Sequence, residues 1–266
     1  MSGSSSDRTE TERTERGNRD LPPTTPTRAA VRDCLDRVDD PELDRSLVEL
    51  DYIDRIEIDD GSVEVAFTLP TAWCSPAFAW MMATDARDEI AALPDTESVR
   101  IELRDHMHET EITQGVNGGD SFGSVFPDAD GDVSEVRATL DDKARFARQY
   151  EAIGACLDAG LDPRQIIDLR REELDLTDED AVIAVGDIHV VVPVEPIVAF
   201  LEKARASGHV TDPGDRLFLT PDGEPIPRER FDILRNRMRL ASVNMGGQGA
   251  VCDALNESRR AKLDRD

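Results

Sequence analysis

Apolar residues recur along this chain with two different periods, and the switches between them outline its elements. From Thr27 to Val38, the residues Val31, Cys34, Leu35 and Val38 fall at helical spacing, with Thr27 placed to cap the helix. Asp39-Asp40-Pro41 ends it, because proline disfavours helical backbone at the residue before it. The period then drops to two. Ile56 and Ile58 alternate with charged residues, Asp59-Asp60-Gly61 carries turn chemistry, and Val63, Val65, Phe67 and Leu69 alternate with smaller or polar neighbours. Pro70 to Cys74 reads as a short loop. Ser75 then reads as an N-cap and Pro76 as the first residue of a helix ending near Leu93-Pro94. Val99, Ile101 and Leu103 predict a closing strand.

Asp105 to Asp132 breaks the pattern with Gly115, Gly118, Gly119, Gly123 and Gly131, and reads as an irregular extension packed back on what precedes it. From Val133 a long amphipathic helix runs to Asp158 and stops at Gly160. A short helix follows over Pro163 to Leu169, then a hairpin of Val182 to Val185 and Ile188 to Val192 around Gly186-Asp187. Helices at Pro196 to Ser207 and Pro227 to Ala241 flank a short Leu217-Phe218-Leu219 strand, and Gly246-Gly247 breaks the chain before a last helix over Val251 to Leu263. Met1 to Thr25 has Leu21 as its one large apolar residue besides Met1 and reads as a disordered tail. The expected fold class is α+β. A small α/β sandwich at 26–104, with helices on one sheet face, precedes the 105–132 extension and a mostly helical second domain with a β-hairpin at 133–266.

Charge narrows the function classes. Fifty-seven acidic residues face 31 basic ones, a formal net charge of −26 over 266 residues, and only Lys143, Lys203 and Lys262 are lysines. Such a surface is the style of proteins from salt-loving cells, and it repels nucleic-acid phosphates and anionic lipid at ordinary salt. No apolar run is long enough for a membrane helix, and the N-terminus has no secretory pattern, so the expected compartment is the cytoplasm. The four cysteines stand far apart with no C-x-x-C pair, which excludes a zinc knuckle and a thioredoxin-type motif.

Cys74 is the main chemical candidate. It stands just before a helix, where free N–H groups and the helix dipole favour an anion and lower a thiol pKa. Asp40 and Glu42 are supporting candidates, as carboxylates able to orient the Cys74 loop or bind iron. His106 and His108, read as part of a strand, point to one face and form an iron- or zinc-compatible pair. Cys34, Cys156 and Cys252 read as structural, the first two on apolar helix faces.

Several of these features together resemble one family. They are Asp40-Pro41-Glu42 followed by Ser46-Leu47-Val48-Glu49-Leu50, the Asp59-Asp60-Gly61 turn, and the Val63 to Leu69 strand. Thr71-Ala72-Trp73-Cys74 adds a threonine three residues before the cysteine, and Ala91 to Pro94 with Val99 to Ile101 closes the domain. This stretch resembles the Fe–S cluster assembly (FSCA) superfamily, the PaaD- and SufT-like assembly factors. One departure is Ser75, which intervenes where the family has proline directly after its cysteine. The resemblance implies an accessory factor for Fe–S or iron-enzyme maturation that does no turnover chemistry of its own. Its cargo would be iron or an Fe–S cluster held transiently. Its partners would be a client iron or Fe–S protein, an oxygenase among the candidates, and a second copy of the chain.

The second half more weakly resembles the catalytic domain of tyrosine recombinases. Ala159-Gly160-Leu161, Ile166 to Arg170, the hairpin, and Arg216 to Phe218 with Asp222 to Ile226 carry that likeness. The active-site residues do not follow. Asp162 stands at the first arginine's place, the hairpin lysine is absent at Gly186-Asp187, and no tyrosine follows Tyr150. A chain without that tyrosine has no nucleophile for a phosphodiester. The alternatives to an assembly factor are a metal-free acidic interaction module, a nucleic-acid-binding remnant of a recombinase, and a thiol enzyme with no histidine placed in sequence as its base.

Overall fold

The computed structural model describes residues 25–129 and 133–263. All of the expected N-terminal tail except Thr25, and three residues of the 105–132 extension, lie outside them. Helix α1 (Arg28–Leu35) is capped as expected, with the Thr27 side chain accepting from the Ala30 N–H. It buries Val31, Cys34 and Leu35, and Val38 is buried in the turn that follows. Two short strands, β1 (Asp39–Asp40) and β2 (Arg45–Ser46), pair antiparallel.

The main sheet is built from β3 (Ile53–Asp59), β4 (Ser62–Thr68) and, after helix α2 (Pro76–Ala91), β5 (Ser98–Arg104). Its order is β3-β4-β5, antiparallel then parallel. The β3–β4 turn has both central residues at positive φ, Asp60 at 43° and Gly61 at 87°, the conformation of a tight type I′ hairpin. The alternation seen in the sequence sorts the two faces. Ile56, Val65 and Ile101 pair across the three strands and are buried beneath α1 and α2. The opposite face carries a ladder of charge in which Arg55 reaches Glu57, Glu64 and Glu102.

Residues 105–132 are not irregular where described. They form α3 (Glu109–Gly118) and the short α4 (Phe122–Val125). Helix α3 buries Ile112 and Val116 against the first core, and its Asn117 side chain bonds both the N–H and the C=O of Ile101 on β5. The glycines misled the reading because they serve packing and capping. Gly115 lies so close to the Trp80 ring that a Cβ would stand 2.8 Å from it, and Gly119 caps α3 in the left-handed region.

The second lobe begins with α5 (Val133–Asp158), which gives way at Gly160, φ 94°. Then come α6 (Pro163–Asp168), β6 (Leu174–Leu176), β7 (Asp180–Val185), β8 (Ile188–Pro193), α7 (Val194–Ala206) and α8 (Phe231–Leu263). Asp162 is the N-cap of α6 in a capping box with Gln165. Leu217 to Leu219 is not a strand. Buried Gln149 donates to the Leu219 C=O and accepts from the Leu219 N–H, and Leu217 bonds Leu169, so the backbone is satisfied without a ladder.

The largest correction concerns α8. Gly246-Gly247 does not break it, and one helix runs the 33 residues from Phe231 to Leu263. Its first turns bury Phe231, Leu234 and Met238 in the second core. Its last turns lie on the first lobe, where Arg45 meets Asp253, Arg259 meets Asp54, and Asn256 donates to the Leu50 C=O. Long-range contacts therefore override the local cost of glycine, about 1 kcal/mol each against alanine. A Cβ added at Gly246 or Gly247 would meet nothing within 4 Å. Alanine at either position is thus expected to raise the melting temperature by roughly 2–4 °C. A lowered melting temperature in both single variants would show that these glycines are needed for something other than helix.

Candidate functional site

The loop between β4 and α2 carries Cys74. The Thr71 hydroxyl accepts from the Trp73 N–H, and the Cys74 N–H donates to the Thr71 C=O, so Thr71 shapes the turn that presents the thiol. Cys74 stands one residue before Ser75, the N-cap of α2, and Pro76 opens the helix. Ser75 makes no side-chain cap bond.

The electrostatics run against the sequence expectation. Burial pushes the Cys74 thiol up to about 12, and the charges of Asp40, Cys252 and Glu42 add to the rise. The Ser75 N–H opposes this without reversing it. The helix N-terminus therefore does not make Cys74 a free thiolate at neutral pH, because desolvation and two nearby carboxylates outweigh the dipole.

Asp40 is buried, and its Oδ1 accepts from the N–H groups of Glu42 and Leu43, 2.9 and 3.3 Å away. It therefore holds the turn between β1 and β2 while its charge acts on Cys74 and Cys252. Its own pKa is raised, first by burial. Glu42 is half-buried, and its Oε1 accepts from the Gln248 side chain of α8 at 3.3 Å.

His106 and His108 are not on a strand. Asp105 at φ 54° turns the chain out of β5, so the period-two argument ends one residue too early. His106 is buried, with both ring nitrogens engaged: Nε2 lies 3.0 Å from the Cys74 C=O, and Nδ1 accepts from the His108 N–H. That pattern fixes the neutral tautomer with the proton on Nε2 and makes His106 a brace for the Cys74 loop. His108 lies edge-on to Phe126, ring centroids 5.3 Å apart.

Burial lowers the His106 pKa from 6.5, so the folded chain prefers the neutral ring. Stability is full above the unfolded value and falls as pH drops through it towards the lower folded value. Thermal melts of wild type and His106→Gln between about pH 7.5 and about pH 5 measure this. The wild type is expected to lose more on the acid side, and parallel curves would refute the assignment.

Two residues that sequence reasoning missed join the site. Cys252 is half-buried on α8 and packs against the same core as Cys74. Tyr52 is 1% exposed, and its hydroxyl has no partner. Burial first, then Asp40, Cys252, Cys74 and Asp253, hold its pKa above the usual tyrosine value. No spacing signal could have found Cys252, because only the uninterrupted α8 returns it to the first lobe. Among the described residues no three of His, Cys, Asp and Glu are placed to hold a metal ion. On the outer side, Trp73 is 76% exposed and Met107 51%, and the Met107 N–H donates to the Ala72 C=O, which ties the backbone after β5 to the Cys74 loop.

Among the described residues no helix is long and apolar enough to cross a membrane. No curated protein and no solved structure matches the chain. A family model does: residues 28–103, from the start of α1 through the Cys74 loop to Leu103 in β5, match the family described as iron-sulfur cluster assembly protein.

Proposed function

We propose that this protein is an accessory factor of iron–sulfur cluster assembly or iron-enzyme maturation, a carrier more than a turnover enzyme, with Cys74 as its cargo contact. The observation that carries the reading is the family match over residues 28–103, which contains Cys74 on a loop that is shaped by Thr71 and braced by His106. Exposed Trp73 and Met107 beside it suit docking of a client iron or Fe–S protein, an oxygenase among the candidates. The PaaD- or SufT-like subtype, a cytoplasmic setting and adaptation to high salt belong to the same reading. The second lobe is assigned to client contact, and the exposed apolar residues Ile233, Leu240 and Val251 on one side of α8 suit pairing with a second copy.

Anaerobic purification followed by iron and sulfide analysis tests the reading, together with client activity in cells that lack the protein. Loss of client activity in those cells, with iron or cluster transferred by the purified chain, is expected. Unimpaired clients would refute it. A second reading is a metal-free acidic assembly module, which the net charge of −26 suits. Maturation that survives loss of the thiol would select that module.

A further inference from the structure

We propose that α8 is a dimer interface on which two copies of this chain pair through antiparallel α8 helices, with the two-fold axis at Gly247. The pairing deepens the second-copy contact of the proposed function and rests on it. It does not depend on the cargo, since every residue involved lies outside the matched region.

Exposed apolar side chains single out this helix. Nine large hydrophobic residues are exposed among the described residues, and five of them, Ile233, Leu240, Val243, Val251 and Leu255, stand on α8. Leu234, Met238, Met245 and Asn256 face inward and are buried. At about 100° per residue, Ile233, Leu240, Val243, Val251 and Ala254 fall within roughly 40° of Gly247, on the side away from that buried face. Ile233, Leu240, Gly247 and Ala254 repeat every seven residues with Val243 and Val251 between them, which is the spacing of a coiled-coil seam. An apolar stripe of this kind left in water marks a surface that another helix covers.

The order of residues along the stripe says what covers it. Helix α8 runs from Phe231 to Leu263, and Gly247 is its midpoint. In an antiparallel pair that crosses there, each residue before Gly247 meets the residue equally far after it in the second copy. Val243 then meets Val251, Leu240 meets Ala254, Ile233 meets Ala261, and polar Asn236 meets polar Ser258. The larger apolar side chains thus face small ones, as interdigitating helices require. A Cβ at Gly247 would meet nothing within 4 Å in the single chain, so the bare backbone there has room to lie against its own copy. Charge agrees with this direction. Exposed Arg237 falls opposite exposed Glu257, whereas parallel helices would set each against its like. The chain carries −26, yet α8 has six basic residues against three acidic ones, so it is a place where two acidic copies can meet with little repulsion.

Sedimentation equilibrium of the whole chain in molar KCl tests the pairing. A concentration-dependent dimer is expected, and it should tighten as salt screens the charge of each copy. Leu240→Glu is expected to weaken it about tenfold or more, while Ile188→Glu, at a similarly exposed apolar residue off α8, matches wild type. A wild type that stays monomeric at every concentration would leave the stripe to a helix of another protein and overturn both this pairing and the second-copy contact. A dimer that Leu240→Glu does not weaken would keep the second copy and refute α8 as its seat. Direction is read by oxidising a mixture of Leu240→Cys and Ala254→Cys chains and mapping the disulfides by mass. Links between the two substituted positions are expected, and links confined to pairs of Leu240→Cys chains would refute the antiparallel arrangement. Iron transfer and client activity are measured separately, so the cargo role stands or falls independently of these results.

Discussion

Replacing Cys74 by serine is expected to reduce client activity to that of cells lacking the protein, while stability changes by no more than ~0.5 kcal/mol. The sulfur is half-buried, and a serine hydroxyl of similar size can turn towards solvent there. What serine cannot supply is a soft thiolate ligand. Since the Cys74 thiol is pushed up to about 12, an arriving metal must displace its proton, and metal affinity is expected to rise with pH across the neutral range. Cys156→Ser should show the reverse pattern. Cys156 is fully buried, with burial as the one cause raising its pKa, so a hydroxyl there lacks a partner and costs roughly 1–3 kcal/mol. Cys34→Ser is expected to be milder, because the Arg37 guanidinium already donates to that sulfur at 3.2 Å. Melting curves and in-cell client activity, measured on the same three variants, separate the two effects. Full client activity with Cys74→Ser would remove the thiol from the mechanism.

The second large effect is expected at Lys203. Its Nζ lies 2.9 Å from Asp39 and 2.9 Å from Asp44, and Arg148 also bonds Asp44. This cluster joins the β1–β2 turn to α5 and α7. The Asp44 side chain is almost wholly buried, so Lys203→Met would leave a carboxylate under-compensated. Breaking such a pair costs ~3–5 kcal/mol, and the lower end applies because Arg148 remains. Burial alone would lower the lysine's pKa, but Asp44 and Asp39 outweigh it and the net shift is upward. The linked stability is therefore full below the ordinary lysine value of 10.5 and is lost as pH rises through the higher folded value. Chemical denaturation of wild type and Lys203→Met at neutral and alkaline pH checks both statements. Equal stability of the two proteins at neutral pH would show that the cluster is solvated and contributes nothing.

Local chemistry was legible in the sequence; long-range chemistry was not. Thr27 as a cap, Asp60-Gly61 as a turn, Ser75-Pro76 as a helix start and Gly160 as a stop each depend on a few neighbouring residues. The period-two face of β4 was readable because its alternate residues meet the core. Errors arose where a distant partner decides the outcome. Asn117 and Trp80 stabilise α3 despite its glycines, Gln149 replaces a strand at Leu219, and contacts on both lobes carry α8 through Gly246-Gly247. The site followed the same rule. Asp40, Glu42 and Cys74 come from local motifs, and their roles remain proposals. His106 was found but given the wrong task, since its role depends on the Cys74 carbonyl. Cys252 and Tyr52 are visible only once α8 is laid across the first lobe.

The glycines of α8 also set how the molecule fluctuates. Gly246, Gly247 and Gly249 together withhold ~3 kcal/mol of helix propensity just before the segment that covers the Cys74 side. Several contacts holding that segment, such as Arg45–Asp253 and Arg260–Asp51, are partly exposed ion pairs worth about 0–1 kcal/mol apiece. Neither sum approaches the free energy that protects a domain core, ~5–15 kcal/mol. Amide hydrogens beyond Gly249 should therefore exchange through a shared partial opening, well before those of β4, with the rest of the fold closed. The population of that open form would then set how often the Asn256 side chain and the Leu50 and Asp51 carbonyls it binds meet solvent.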